Sequence, residues 1–131
     1  MKRFFLAAVM LLAAVGFTAC DNDDDELYDT LVGRVWVGDM GFLQEGRYPL
    51  VCYIYFKSNG FGTNELRYAD NGEYLDTLDI RWDSRNDAVY IDYGNQAPPQ
   101  ELRDVYIRRG QLRADLYTDG RYDGPVTLYM E

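Results

Sequence analysis

The groups this 131-residue chain offers to chemistry are two cysteines, two serines, twenty-two carboxylates and an aromatic set of twelve Tyr, six Phe and two Trp. Histidine is absent, which removes His-based triads, His metal sites and the side chain that titrates most readily near neutrality. Ser58 and Ser84 both fall in turn-like stretches, and no nucleophile motif, phosphate loop or metal-ligand spacing surrounds them. Acid pairs such as Asp115 and Asp119 have the chemistry to cleave a glycosidic bond. Twenty-two carboxylates supply such pairs by chance, however, so no catalytic residue, cofactor or metal is assigned. Cys52 sits in the apolar run Leu50-Val51-Cys52-Tyr53-Ile54-Tyr55-Phe56, where a thiol is expected to be buried and inert. Tyr and Trp each combine a stacking face with a polar handle. On that ground Trp36, Tyr53, Tyr55, Trp82 and Tyr90 are candidate ligand contacts. The competing role is core or cross-strand packing, which Trp36 and Trp82 are expected to fill.

Cys20 has a different setting. Met1-Lys2-Arg3 is a short basic segment, and an apolar run of about thirteen residues follows from Phe4 to Gly16. A bilayer span needs about twenty residues, so this length suits a secretory leader instead. The run ends in Phe17-Thr18-Ala19-Cys20. Small residues before a cysteine resemble the bacterial lipobox, in which the cysteine takes a diacylglyceryl group and becomes the new N-terminus. The expectation is therefore a leader over 1–19, a lipidated Cys20 and an acidic tether over 20–30, the alternative being an ordinary cleaved signal. The tether begins with five carboxylates in the six residues 21–26, a block that stays solvated and extended. Its spacing is only loosely that of a calcium loop, because the Gly and distal Glu of that motif are missing. Net charge is −9 over the whole chain and −11 once Lys2 and Arg3 leave with the leader. Such a balance argues against nucleic acid as a partner, because phosphate binding needs a basic face. With Cys20 acylated, Cys52 has no partner for an intramolecular disulfide.

The elements that must position the aromatic rings are strands. A short helical turn is expected over Glu26 to Val32, and no helical period appears from Arg34 onward. Apolar, β-branched and aromatic runs alternate with turn signals and predict eight strands near 34–39, 49–57, 61–68, 74–83, 88–93, 102–109, 111–118 and 125–131. Ser58-Asn59-Gly60, Asn71-Gly72, Arg109-Gly110 and Asp119-Gly120 provide the turns. The Arg109-Gly110 hairpin sets Ile107 opposite Leu112 and Val105 opposite Ala114. A bulge at Asp123-Gly124-Pro125 then brings Leu128 and Val126 onto the face of Leu112 and Ala114. Val105, Ile107, Leu112, Ala114 and Leu116 are expected on one buried face, joined by Ile80 and Trp82. Asp79, Arg81 and Asp92 fall on the opposite face as an exposed charge network. Residues 31–131 are long enough for one core. Tight loops between consecutive strands predict an all-β fold, an antiparallel meander closing into a small barrel with little room for a large cavity, the alternative being an open or flattened sandwich.

Leu31-Val32-Gly33-Arg34-Val35-Trp36-Val37-Gly38-Asp39, Phe56-Lys57-Ser58-Asn59-Gly60-Phe61-Gly62, Ile80-Arg81-Trp82 and Val89-Tyr90-Ile91-Asp92-Tyr93-Gly94 carry a further resemblance. Together they are similar to the small lipocalin-like (calycin-like) surface lipoproteins of Bacteroidetes, over most of residues 27–131. Gly33 and Trp36 stand three apart where lipocalins have Gly-x-Trp, and 122–131 contains no arginine to cover that Trp. The resemblance implies a lipocalin-like barrel and a binding or interaction role, with no catalytic residue. The acidic tract after Cys20 similarly resembles the export signal that sends such lipoproteins to the outer leaflet of the outer membrane. The expected protein is non-enzymatic, lipid-anchored there and facing the exterior. It binds a small apolar, aromatic or glycan ligand, or alternatively serves as a protein-interaction or structural subunit of a surface assembly.

Overall fold

The computed structural model describes residues 26–131; the expected leader, the expected lipidation of Cys20 and the acidic residues 21–25 lie outside them. Residues 26–31 form a short helix. Nine strands follow: β1 (Val35–Gly38), β2 (Leu43–Gln44), β3 (Tyr48–Phe56), β4 (Phe61–Tyr68), β5 (Tyr74–Arg85), β6 (Ala88–Asp92), β7 (Gln100–Arg108), β8 (Gln111–Thr118) and β9 (Arg121–Met130). Every pairing is antiparallel; from β2 to β8 each strand pairs with the next in sequence, and β1 pairs with both β3 and β9. The result is a closed eight-stranded barrel with β2 as an extra strand on the edge of β3. The eight expected strands are the eight barrel strands. Only β2 escaped the sequence reading, being two residues long and followed by a turn at Glu45-Gly46 with φ of 55° and 71°.

Turn chemistry explains the meander. Arg109-Gly110 and Asp119-Gly120 both take positive φ at their two central positions, 55° and 76° and then 52° and 82°, the twist that matches flanking strands. Asn59 and Asn71 each accept a hydrogen bond from the backbone two residues on. The β8–β9 register pairs Leu112 with Leu128 and Ala114 with Val126, and the irregularity falls between Leu116 and Tyr117, which face Gly124 and Tyr122. The bulge lies where the apolar faces required it.

One register differs from expectation. Ile107 does face Leu112, but β7 is bulged between Arg103 and Tyr106, with Asp104 at φ 55°. Val105 and Ile107 are only half-buried. The reason lies on the other edge of β7: β6 pairs it only from Gln100 to Leu102, and one bond from the Val105 N–H to the Asp87 carbonyl closes the contact. The upper part of β7 has no strand on that side, so its inward side chains meet a groove rather than a wall.

The remaining inward positions fill the barrel. Trp36, Ile54, Phe56, Ile80, Trp82, Ile91, Leu102, Leu112, Leu116 and Leu128 are buried, in an interior that eight strands make just wide enough for side chains. Both ends are covered. At one end the 26–31 helix buries Leu31 completely and stacks Tyr28 on Trp82 at 5.2 Å between ring centroids. The packed unit thus includes residues assigned above to the tether. At the other end Met40 is fully buried and Phe42 meets Tyr93 edge-on at 5.5 Å. Gly38 seats the closing strand: a Cβ there would stand 2.5 Å from the Leu128 side chain and 2.6 Å from the Thr127 carbonyl.

Candidate functional site

The five candidate aromatic residues do not converge. Trp36 is fully buried and donates its indole N–H to the Leu31 carbonyl at 3.3 Å. Trp82 is buried against Phe56 and Tyr28, its N–H shared between the carbonyls of Lys57 and Phe61 at 2.9 and 3.0 Å. Both are core residues. Tyr53 and Tyr55 are half-buried on the outer wall of β3, covered by the cross-strand neighbours Glu65, Thr63, Val37 and Val35. The second apolar face of β3 is therefore partly covered by the sheet itself. Tyr90 is 42 % exposed on the outer wall of β6.

Inside the barrel, sequence reasoning missed a buried polar chain. The Asn64 amide donates to the Tyr93 hydroxyl at 3.0 Å, and that hydroxyl donates to Gln100 Oε1 at 2.9 Å. The Gln100 amide in turn donates to the Met40 carbonyl at 2.8 Å and to Thr118 Oγ1 at 3.2 Å. The chain ties three strands, β4, β7 and β8, and the segment just after β6 to the loop that closes the far end. Cys52 lies beside it. Burial pushes the Cys52 thiol up to about 12, and burial likewise pushes the Tyr93 phenol well above its ordinary range. The thiol is protonated and unreactive, as its apolar strand required. Asn64 occupies an inward position of β4 by simple alternation, so its burial was legible, although its partners were not.

Outside the barrel, Tyr90 belongs to a wider arrangement. Asp83 faces Tyr90, Tyr90 faces Glu101, Glu101 faces Tyr117 and Tyr117 faces Tyr122 in successive registers. Antiparallel partners point to the same side, so these five side chains form one outward row across β5 to β9. Adjacent strands stand about 4.8 Å apart, which puts Tyr90 and Tyr117 about 10 Å apart along the row. Between them runs an open groove of about 480 Å³, flanked also by Arg81 and Asp92. Arg103 lies 3.8 Å above the Tyr117 ring centroid and is held by Glu101 at 3.0 Å. Tyr122 packs on the far side of Tyr117 at 5.4 Å. Tyr117 was absent from the candidates, yet the Arg109-Gly110 hairpin fixes its outward parity with Arg113 and Asp115.

The expected charge network takes another form. Asp79, Arg81 and Asp92 are exposed, but no ion pair joins Arg81 to either acid among the described residues. Arg81 instead lies over Phe61, 5.3 Å from its ring centroid, while Asp92 accepts from the Gly94 N–H at 2.8 Å.

A second groove, about 690 Å³, opens at the helix end, lined by Glu26, Leu27, Thr30, Asp87, Val105 and Ile107. It is the gap left beside β7. Among the described residues no group of three or more acidic, Cys or His side chains is placed to hold a metal ion. No protein-family model matches this chain, and no curated protein or solved structure matches it either.

Proposed function

We propose that this protein is a lipid-anchored, non-enzymatic binding module of the outer membrane, and that its barrel wall holds a hydroxyl-rich ring ligand of the glycan type. The observation that carries the reading is the outward row Asp83–Tyr90–Glu101–Tyr117–Tyr122, with its groove, on a barrel whose interior is occupied by side chains. Phenol rings stack on the apolar face of a sugar ring, while Asp83, Asp92 and Glu101 accept hydrogen bonds from its hydroxyls. The likeness of the leader and acidic tract to those of Bacteroidetes surface lipoproteins supports an acylated Cys20 and exposure to the exterior.

Titration of the protein with a panel of neutral oligosaccharides, followed by tyrosine fluorescence, tests the reading. Saturable quenching that disappears in Tyr90→Ala and Tyr117→Ala is the expected result. Absence of saturation with every oligosaccharide overturns the glycan reading.

A second reading, a protein-interaction subunit, is favoured by the large exposed rings Phe61, Tyr74, Tyr106, Tyr122 and Tyr129 on the same outer wall. Exposed aromatic surface of this kind is characteristic of docking faces. Cross-linking on intact cells that yields one discrete partner, lost when Tyr122 and Tyr129 become Ala, selects it.

A further inference from the structure

The β7–β8 hairpin carries three arginines that make no ion pair among the described residues. Tyr106 faces Arg113 and Arg108 faces Gln111, so alternation sends all four side chains outward from two adjacent strands. Arg109 occupies the turn between them, at φ 55°. The five residues line a concavity of about 350 Å³. Among the described residues the ion pairs engage Arg67, Arg85 and Arg103, and none engages Arg108, Arg109 or Arg113. Three guanidiniums lining one concavity repel one another, in a chain of net charge −9 where carboxylates are plentiful. Asp104 and Asp115 border a neighbouring concavity beside Arg113, yet neither pairs with it.

We propose that this hairpin is an anion site for a tetrahedral oxyanion group, the phosphate or sulfate of an ester. A guanidinium presents N–H donors in a planar fork that matches two oxygens of such a group. The Tyr106 hydroxyl and the Gln111 amide add neutral donors at the rim, and the bound anion offsets the repulsion among the arginines. The site is separate from the tyrosine row, which crosses β7 and β8 at Glu101 and Tyr117. It lies at the helix end of the barrel, since Glu26 and Ile107 line one groove. With Cys20 acylated as proposed above, the six residue steps from Cys20 to Glu26 span at most about 20 Å, which brings a lipid headgroup within range as a source of the phosphate alongside a soluble ester.

Calorimetric titration of the full chain with inorganic phosphate and with sulfate tests the proposal. Saturable binding of at least one anion is expected, weakened at least about tenfold in Arg108→Gln/Arg113→Gln. Arg109→Gln, in the exposed turn, serves if the double variant fails to fold. Arg85→Gln, at the β5–β6 turn, should leave binding unchanged. Co-sedimentation with phosphatidic acid vesicles, in a Cys20→Ala background, separates the sources. Pelleting that depends on Arg108 and Arg113 identifies a headgroup, and anion binding without such pelleting identifies a soluble ester. No saturable binding of either anion, or equal binding by a folded double variant, overturns the proposal.

Discussion

Cys52 and Tyr93 hold their protons inside the barrel because the anions would lie among apolar side chains with too few donors. The folded state therefore binds the Cys52 proton more tightly than the unfolded chain does. Its contribution to stability is complete below the ordinary thiol value of 9.0 and is lost as the pH rises towards about 12. Between about pH 9 and 11 that loss amounts to about 2 kcal/mol. Urea unfolding across this window should show stability falling steeply in the natural protein and less steeply in Cys52→Ala, with Tyr93 retaining part of the slope above its ordinary value of 10.0. Parallel slopes would contradict the burial of the thiol. The two faces of the wall make a second prediction at this scale. Trp82→Ala removes a buried ring with both indole hydrogen bonds and two aromatic neighbours, which costs about 3–5 kcal/mol. Tyr90→Ala removes a ring that is 42 % exposed and should change stability by about 0.5 kcal/mol. Melting temperatures of the two variants decide between them, and a larger drop for Tyr90→Ala would reverse the face assignment.

Among the elements, β1 is the closing stave and the most weakly paired one. It matches β3 at four positions but β9 at only two. Gly38 permits the approach, since any side chain there meets both the Leu128 side chain and the Thr127 carbonyl. Gly38→Ala should strain the seam and cost about 1–3 kcal/mol, the usual penalty for overpacking. Hydrogen exchange locates the effect: protection at Tyr129, which pairs with Val37, and at Glu131, whose N–H donates to the Val35 carbonyl, should fall before protection in the β4–β5 ladder. Uniform loss across all strands would show that the seam is not an independent weak point. The other opening, beside β7, arises differently. The β5–β6 hairpin turns at Asn86-Asp87 before its second strand can cover Val105 and Ile107. The bulge at Asp104 accommodates that change, and the groove is its consequence.

For the whole molecule, the proposed function divides the work: recognition on the barrel wall and the address in the N-terminal segment. The helix at 26–31 ties these together, because it plugs the barrel at the point where the chain arrives from Cys20. Cys20→Ala should release the protein from membranes and abolish labelling by a fatty-acid analogue. Retained labelling would contradict acylation. Replacement of Asp23, Asp24 and Asp25 by Ala should keep the anchored protein inside the cell, where protease added to intact cells no longer removes it. Equal digestion of both forms would contradict a role for the acidic tract in export.

Local chemistry made much of this barrel readable before any coordinates. Asn-Gly and Asp-Gly turns need positive φ wherever they occur, and alternation along Leu78, Ile80 and Trp82 admits one buried face. The bulge near Gly124 followed from the same logic, because only an extra residue reconciles Leu112 with Leu128. The outward surfaces were harder to see, since they depend on registers between strands distant in sequence. Asp83, Tyr90, Glu101, Tyr117 and Tyr122 form a row only after four separate pairings are set. The exposure of Val105 and Ile107 likewise depends on where β6 stops, which their own alternation cannot report. Asn64, Tyr93 and Gln100 share hydrogen bonds through closure of the sheet, with Asn64 and Tyr93 separated by twenty-nine positions in the chain. The sequence by itself determined the eight barrel strands, their turns and most of the inward set, because those follow from backbone sterics and burial within a few residues. Tertiary structure alone decided which outward side chains became neighbours, because pairing between strands and closure of the barrel set those distances.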